Sequence, residues 1–187
     1  MDEVLRKMLE RQTKLMPTVK EQATEVKFIP LKKNNLERVE IGMYWYADDT
    51  VSKVFSPRKS LKSLVLIVDK KEGIVYGDSF KQRYIMGDQI SAYMDALQAE
   101  YAKQFPFGII YRPTSEELQQ VFNNISVILP ALKAVKQLKW SEDLFWGEPK
   151  DEYHSAVVDM LDGDSLNMRT DGSSGAYFRP MVAFMAP

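Results

Sequence analysis

The sequence predicts an α+β fold, because strand-like and helical segments are segregated along the chain. Segments rich in aromatic and β-branched residues, which favour strands, lie at 39–46, 64–68, 73–76, 156–161, 166–169 and 177–184. The residues between the two groups of strands follow the helical period. Strands followed by helices and again by strands are typical of an α+β domain and not of a repeating βαβ unit.

The middle segment predicts two helices. Ile90 and Met94 begin an apolar stripe with helical spacing, and Asp88 is placed to cap its first turn. Thr114 and Glu117 form a capping box, in which each side chain accepts from the other residue's backbone N–H at a helix start. A second helix therefore begins after Thr114, and the helical period continues to residue 138.

The composition is that of one globular domain of 187 residues. Lys and Arg total 25 against 26 Asp and Glu, so the net charge of −1 provides no global field to attract phosphates. The absence of cysteine from the sequence excludes disulfides and thiolate metal sites. No stretch approaches the roughly 20 apolar residues of a membrane helix, and the charged N-terminus lacks the apolar core of a secretion signal. We expect no nucleic-acid partner, no membrane span and no cofactor.

We predict an N-terminal helix and arm over residues 1–35 and a globular domain over residues 36–187. The seam of a coiled coil repeats at alternating spacings of four and three residues. The N-terminal segment has this spacing at Met1, Leu5, Met8, Gln12 and Leu15, and Gln12 is its one polar position. This seam predicts a homo-oligomer held together by the N-terminal helix. The alternative is a helix packed on its own domain, because a helix this short is marginal alone.

The residues do not predict an enzyme. The single histidine, His154, lies in a polar segment before a strand, where we expect an exposed loop residue. The chain also lacks a cysteine nucleophile. A small hydrolase that uses Glu148, Asp151 or Glu152 as paired carboxylates is the less favoured alternative.

Acidic and amide residues are concentrated in the C-terminal turns, at Asp162, Asp164, Asn167 and Asp171. Hairpin turns favour Asp and Asn for backbone reasons, so we prefer turn chemistry to a calcium site. We therefore predict no metal.

A candidate binding surface lies where aromatic residues meet a charged segment. The charged segment contains Glu148 and Asp151, and three aromatic residues come shortly before it: Trp140, Phe145 and Trp146. Exposed rings beside a polar loop are typical of surfaces that stack on a partner. We predict that these five residues bind a protein or a glycan on a surface.

Several motifs of the C-terminal half occur in an order known from one family. The matching residues are Pro113, Thr114, Glu116, Glu117, Leu118, Trp146, Glu148, Ala156, Gly163, Tyr177, Arg179, Pro180, Ala183 and Phe184. In this pattern the chain resembles the C-type-lectin-like domain family of the collagen-like adhesin C-terminal domain and related gut-bacterial and phage surface proteins. The resemblance implies a C-type-lectin-like α+β domain, with two helices and twisted antiparallel strands, after the N-terminal arm.

Structural roles are expected for Thr114, Glu117, Tyr177, Arg179 and Pro180. We expect Arg179 to bond loop carbonyls or to pair with a carboxylate such as Glu116 or Glu117. Pro180 has no N–H to donate, so its strand is expected at a sheet edge or at a bulge. Lys150 stands where calcium lectins have an amide ligand, so the usual sugar-calcium mechanism is not expected.

Together these features predict a non-enzymatic binding or display module with a lectin-like head. The favoured setting is a phage virion, as a fibre or capsid decoration, because such components assemble in the host cytoplasm without a secretion signal. One alternative is a bacterial surface or fimbria-associated adhesin whose leader has been removed. Both settings rest on analogy between folds.

Overall fold

The computed structural model describes residues 26–102, 108–137, 140 and 143–187. In chain order its strands and α-helices are β1 (Ile29–Pro30), β2 (Tyr44–Tyr46), β3 (Thr50–Ser52), β4 (Leu61–Asp69), β5 (Ile74–Asp78), β6 (Arg83–Met86), α1 (Ile90–Tyr101), β7 (Gly108–Tyr111), α2 (Ser115–Asn123), α3 (Ile125–Ala134), β8 (Leu144–Pro149), β9 (His154–Asp159), β10 (Ser165–Arg169), β11 (Gly175–Phe178) and β12 (Met181–Met185). Two short 3₁₀ helices, Lys33–Arg38 and Gly87–Gln89, complete the described elements.

The strands form two sheets. The larger sheet has seven strands in the order β1-β3-β2-β4-β5-β12-β7, and all its neighbouring strands are antiparallel. The smaller sheet has five strands in the order β10-β9-β8-β11-β6, with a single parallel pairing between β11 and β8. The last two strands of the chain therefore lie inside the two sheets and not at their edges.

The predicted C-type-lectin-like α+β fold with two helices is wrong. The described part of the chain is mostly β-sheet, and about 26% of it is helical. The sequence did not predict five of the strands, β1, β3, β6, β7 and β8, and all five are short, with two to six residues each. A strand this short forms because the neighbouring strands of the sheet supply hydrogen bonds and apolar contacts. The pattern of residues along the sequence does not reveal these contacts.

The longest strand, β4, shows how the pattern of apolar residues sets the two faces of the larger sheet. Val65 points into one core, and Leu64 and Leu66 point into the other. Ile67 shares the face of Leu66, because the register with β5 shifts between residues 65 and 67. A bulge of this kind places two consecutive side chains on one side of a sheet.

Three apolar cores result. The first lies on one face of the larger sheet and includes Trp45, Val65, Val75, Val182 and Phe184. The second lies between the two sheets and the helices α2 and α3, and it includes Leu64, Leu118, Ile128, Phe145 and Val158. The third covers the other face of the smaller sheet and includes Ile85, Trp146, Val157 and Phe178.

Helix α1 joins the third core to the first. Its N-terminal half buries Ile90 and Met94 in the third core, and its C-terminal half buries Leu97 and Tyr101 in the first. The predicted apolar stripe is confirmed. The predicted cap is wrong, because Asp88 lies within the preceding 3₁₀ helix, and the residue at the N-cap position is Gln89.

The capping box at the start of α2 is confirmed. The Thr114 hydroxyl accepts from the Glu117 backbone N–H at 3.1 Å, and the Glu117 carboxylate accepts from the Thr114 N–H at 2.8 Å. The helical segment that follows is divided into α2 and α3 at Asn124. The described residues of the middle segment therefore form three α-helices, α1, α2 and α3, where the sequence predicted two.

The chain passes between the two sheets four times, and one buried ion pair holds two of these crossings, from β5 to β6 and from β11 to β12. Asp78 ends β5 before the chain enters β6, and Arg179 lies between β11 and β12. The guanidinium donates to both carboxylate oxygens, at 3.0 Å from Nε and 2.7 Å from Nη2. Both side chains are 0% exposed. The expected pairing of Arg179 with a carboxylate is confirmed, but the partner is Asp78, and the examples named, Glu116 and Glu117, are wrong.

Pro180 lies at the crossing from β11 to β12 and is buried. The predicted single strand over 177–184 is therefore two strands in different sheets, and neither is at an edge. The expectation of an edge strand at Pro180 is wrong. A residue without N–H is tolerated here because it falls between strands, where no ladder bond is required.

Part of the predicted N-terminal arm packs with the domain. Ile29 and Pro30 pair with β3, and Leu31 and Leu36 are buried in the first core. The predicted oligomerisation residues Met1, Leu5, Met8 and Leu15 lie outside the described residues.

We predict that Arg179→Met lowers the free energy of unfolding by about 3–5 kcal/mol, because it leaves the Asp78 carboxylate buried without its cation. The double variant Asp78→Leu/Arg179→Met should recover part of that loss. Urea denaturation followed by tryptophan fluorescence measures both. A suitable control is Lys70→Met, which removes the exposed Lys70–Glu37 pair and should cost less than about 1 kcal/mol. Equal losses for the two single variants would contradict the central role of the buried pair.

Candidate binding surface

The predicted aromatic binding residues belong to the interior. Trp140 is 4% exposed, and Phe145 and Trp146 are fully buried. The Trp146 indole donates to the Ile85 carbonyl at 3.1 Å inside the third core. The prediction that these three rings stack on a surface ligand is wrong, because the sheets and helices cover them.

Two of these buried rings, Trp140 and Phe145, belong to a ladder that crosses the smaller sheet. Trp140 lies 4.8 Å from Phe145 between ring centroids, and Phe145 lies 5.7 Å from Tyr177 in a stacked arrangement. Tyr177 meets Tyr84 edge-on at 5.5 Å. At the buried end, the Arg179 guanidinium lies 4.8 Å from the Trp140 ring. We refer to Trp140, Phe145, Tyr177 and Tyr84 as the ring ladder.

Tyr84 is the exposed end of the ring ladder. It is 58% exposed on β6, the last strand of the smaller sheet. Its neighbour Arg83 is also exposed, and the guanidinium lies 5.7 Å from the Tyr93 ring of α1. Tyr and Arg are the residue types that most often carry binding energy at protein interfaces. The sequence analysis missed both.

A close backbone approach fixes the position of the Tyr84 ring. A Cβ at Gly175 would lie 2.6 Å from the Tyr84 hydroxyl and 2.8 Å from two of its ring carbons. Real Cβ atoms do not approach other atoms so closely, so any side chain at residue 175 would push the ring away. Gly175 on β11 and Tyr177 beside it together determine where Tyr84 points.

Glu148 stabilises the fold from within, although we predicted it as a binding residue. Its carboxylate accepts from the Ser115 hydroxyl at 3.0 Å and from the Ser115 backbone N–H, at the first residue of α2. Lys150 also donates to it. An anion at a helix N-terminus is stabilised by the unpaired N–H groups and by the helix dipole. Partial burial opposes ionisation, but the bonds from Lys150 and Ser115 outweigh it and hold the Glu148 pKa below its usual value.

Asp151, also predicted as a binding residue, organises the turn before β9. Its Oδ1 accepts from the backbone N–H groups of Tyr153 and His154, at 2.7 and 2.8 Å. The His154 Nδ1 lies 2.9 Å from the same oxygen. The backbone bond from Tyr153 and the bond with His154 lower the Asp151 pKa. The carboxylate is exposed and remains accessible to a partner.

The acidic C-terminal turns use their side chains for local backbone bonds. Asp162 accepts from the Asp164 N–H at 2.9 Å, and Asp171 accepts from the Ser173 N–H at 3.2 Å. This is the turn chemistry that the sequence indicates. Within the described residues no group of three or more His, Cys, Asp or Glu side chains is arranged to hold a metal ion.

Two further polar groups are buried near the start of α2. Arg112 donates from Nε to the Gly147 carbonyl, while its Nη2 is buried without a hydrogen-bond partner. Burial lowers the pKa of Arg112 to about 10, although Glu148 opposes the shift. Tyr111 donates to the Glu117 carboxylate at 2.9 Å, and burial together with that carboxylate raises its pKa. These bonds tie β7 to α2 and β8.

Comparison with known proteins assigns the chain to no family. The chain matches no protein-family model, and no curated protein is significantly similar to it. Among the helices that the structure describes, none has the length and apolar character needed to cross a membrane.

The signals for Tyr84 and Arg83 were present in the sequence. The segment 83–86 combines an Arg-Tyr pair with Ile85 and Met86, and β-branched and aromatic residues favour strands. We predicted neither a strand nor a helix for this segment. Recognising it as an edge strand would have required knowledge of its pairing with β11, more than 85 residues away in the chain.

We predict that Glu148→Gln lowers the free energy of unfolding by about 1 kcal/mol at pH 7. The folded-state pKa of Glu148 lies below its unfolded value. The ionised Glu148 carboxylate therefore stabilises the fold fully when the pH is above the pKa of Glu148 in the unfolded state. This stabilisation is lost as the pH falls through the pKa of Glu148 in the folded state. Urea denaturation at pH 7 and at pH 3 should show the difference between variant and wild type shrinking in acid. Glu152→Gln, on the same exposed segment, is the control and should leave stability unchanged at both pH values.

Proposed function

We propose that the protein is a non-catalytic binding module that engages a partner through the outer edge of β6, with Tyr84 and Arg83 as the central contacts. The observation that carries this proposal is an exposed tyrosine that a ladder of buried rings holds in place. An exposed aromatic ring provides large contact area, and its hydroxyl provides a polar contact.

The support behind Tyr84 favours binding. A side chain that is ordered before the partner arrives loses less conformational entropy on association, which strengthens binding. Tyr177 contacts one side of Tyr84, and the absence of a side chain at Gly175 leaves room for the ring. Arg83 is placed over Tyr93 in the same way. The two contacts are thus set by the framework of the smaller sheet.

The open edge of β6 favours a protein partner. In the described part of the chain β6 pairs only with β11, so its outer backbone N–H and C=O groups face away from the sheet. An extended segment of another protein can add to such an edge through main-chain hydrogen bonds. The side chains of Arg83 and Tyr84 would then provide specificity.

A glycan is the second candidate partner, and the exposed Tyr84 ring favours it. Sugars stack on aromatic faces, and the Tyr84 hydroxyl can bond to a sugar hydroxyl group. The setting of the module on a phage virion, or on a bacterial surface, stays a prediction from the sequence. The virion setting predicts that the gene lies beside capsid or tail genes.

The test is binding of the full chain to a glycan array and to purified proteins encoded beside its gene. Once a partner is found, Tyr84→Ala should raise Kd by about tenfold or more, the usual size of a hot-spot loss. Tyr153→Ala is the matched control, since Tyr153 is 56% exposed but lies in the turn before β9. Its Kd should stay at the wild-type value.

Gly175→Ala provides a second, indirect variant. It leaves Tyr84 in the chain but displaces its ring, so it should weaken the same binding while the domain stays folded by circular dichroism. A partner that binds wild type, Tyr84→Ala and Gly175→Ala equally would contradict the proposed surface.

A further inference from the structure

The hydrogen bonds of β6 show which of its residues can pair with an added strand. In an antiparallel pair, residues that bond to the neighbouring strand alternate with residues whose N–H and C=O groups point the other way. The Gly87 N–H donates to the Ser174 carbonyl at 3.0 Å, at the end of the pairing between β6 and β11. By this alternation the backbone groups of Ile85 point toward β11, and those of Tyr84 point toward the open edge.

Tyr84 is the residue of this edge whose two backbone groups are both available. Met86 also faces outward by the same alternation, but its N–H donates to the Gln89 side-chain oxygen at 3.4 Å. Among the described residues, none outside the pairing with β11 bonds to the Tyr84 backbone. An added strand can therefore form two main-chain hydrogen bonds at Tyr84, beside the exposed ring.

The side chains of Arg83 and Tyr84 lie on opposite faces of the smaller sheet. Tyr84 meets Tyr177, which packs against the second core, whereas Arg83 lies over Tyr93 of α1 on the other face. Directly opposite residues of neighbouring strands share a face. A residue of an added strand opposite Tyr84 would therefore contact the Tyr84 ring, and the next residue of that strand would lie beside Arg83.

Arg83 has a positive charge that no carboxylate of the described residues neutralises. Its guanidinium contacts the Tyr93 ring and forms no ion pair in that part of the chain. Burial raises the pKa of the Tyr93 hydroxyl, which the Arg83 charge lowers and the Glu100 charge raises, so these two charges are the ones that act there. Glu100 is itself paired with Lys81 at 3.5 Å. The edge of the sheet beside α1 therefore has a net positive charge.

Asp88, the acidic residue that follows β6, faces away from the open edge. Its carboxylate lies next to Gly172, where an added Cβ would be 2.9 Å from Oδ2. Gly172 belongs to the loop that leads into β11, and β11 is the inner neighbour of β6 in the sheet. The Asp88 charge is therefore directed toward the inner side of β6, and Arg83 determines the charge of the outer side.

We propose that the partner of the β6 edge is an extended acidic peptide segment of another protein. The segment adds to the smaller sheet as a strand by bonding to the Tyr84 backbone. It places an apolar side chain against the Tyr84 ring and, at the next residue, a carboxylate against the Arg83 guanidinium, where a charge-assisted hydrogen bond forms. The inference rests on the proposed function, since it takes the same edge as the binding surface.

Two synthetic peptides test the inference by NMR titration of the full chain. One alternates valine with glutamate, and the other has lysine in place of glutamate. The acidic peptide should slow hydrogen exchange of the Tyr84 amide and bind about threefold more tightly or better, the effect expected of one exposed ion pair. Arg83→Glu should reverse this preference. Arg58→Glu is the matched control, because it makes the same change in net charge at an exposed residue between β3 and β4, and it should keep the preference.

The outcomes separate this inference from the proposed function. Equal binding of the two peptides, with the Tyr84 amide protected by both, would overturn the acidic partner and leave the β6 surface in place. An acidic peptide that leaves the β6 amide shifts unchanged at millimolar concentration would also overturn it, whereas a different partner lost in Tyr84→Ala would still support the surface. Wild type provides a readout that needs no substitution, since about 0.5 M NaCl should abolish the preference for the acidic peptide.

Discussion

The buried pair of Asp78 and Arg179 determines how the two sheets are joined. Two charges removed from water carry a large desolvation cost, which is offset only when both are fully hydrogen-bonded. Here the carboxylate also accepts from the Phe80 N–H and from the Trp140 indole, and the guanidinium also donates to Gln82. Because the pair sits where the chain leaves one sheet for the other, its geometry fixes the position of β6 relative to β5 and of β12 relative to β11.

The ring ladder connects the buried ion pair to the surface of the smaller sheet. Arg179 contacts Trp140, and the stacked rings continue across the smaller sheet to Tyr84. A change at the ion pair would therefore shift the proposed binding surface, both through the rings and through Gln82, which accepts from Arg179 and directly precedes Arg83. The buried aromatic residues, which we expected to meet a partner themselves, instead hold in place the one ring of the ladder that is exposed.

Local sequence signals predicted local structure well. The capping box of Thr114 and Glu117 and the apolar stripe of α1 are defined by residues within a turn or two of one another, so spacing alone reveals them. The ion pair joins residues 101 positions apart, and no spacing rule connects them. Trp140 and Phe145 show the same limit for the site, since an aromatic-rich segment has the same composition whether it is covered by a sheet or exposed to a partner. The fold that the resemblance implied is wrong for a related reason. The motif Tyr177 to Phe184 was taken as one strand, whereas Arg179 and Pro180 divide it between two sheets.

The position of β11 and β12 in the interior of the sheets has a consequence for synthesis on the ribosome. β12 lies between β5 and β7, and β11 lies between β8 and β6, so each sheet is missing a central strand until residues 175–185 have been made. Until then the nascent chain presents unpaired strand edges and uncovered apolar faces, the features that promote aggregation and attract chaperones. β7 and β6 therefore cannot join their sheets until the last strands have been made, and completion of both sheets depends on contacts between distant parts of the chain, which form slowly.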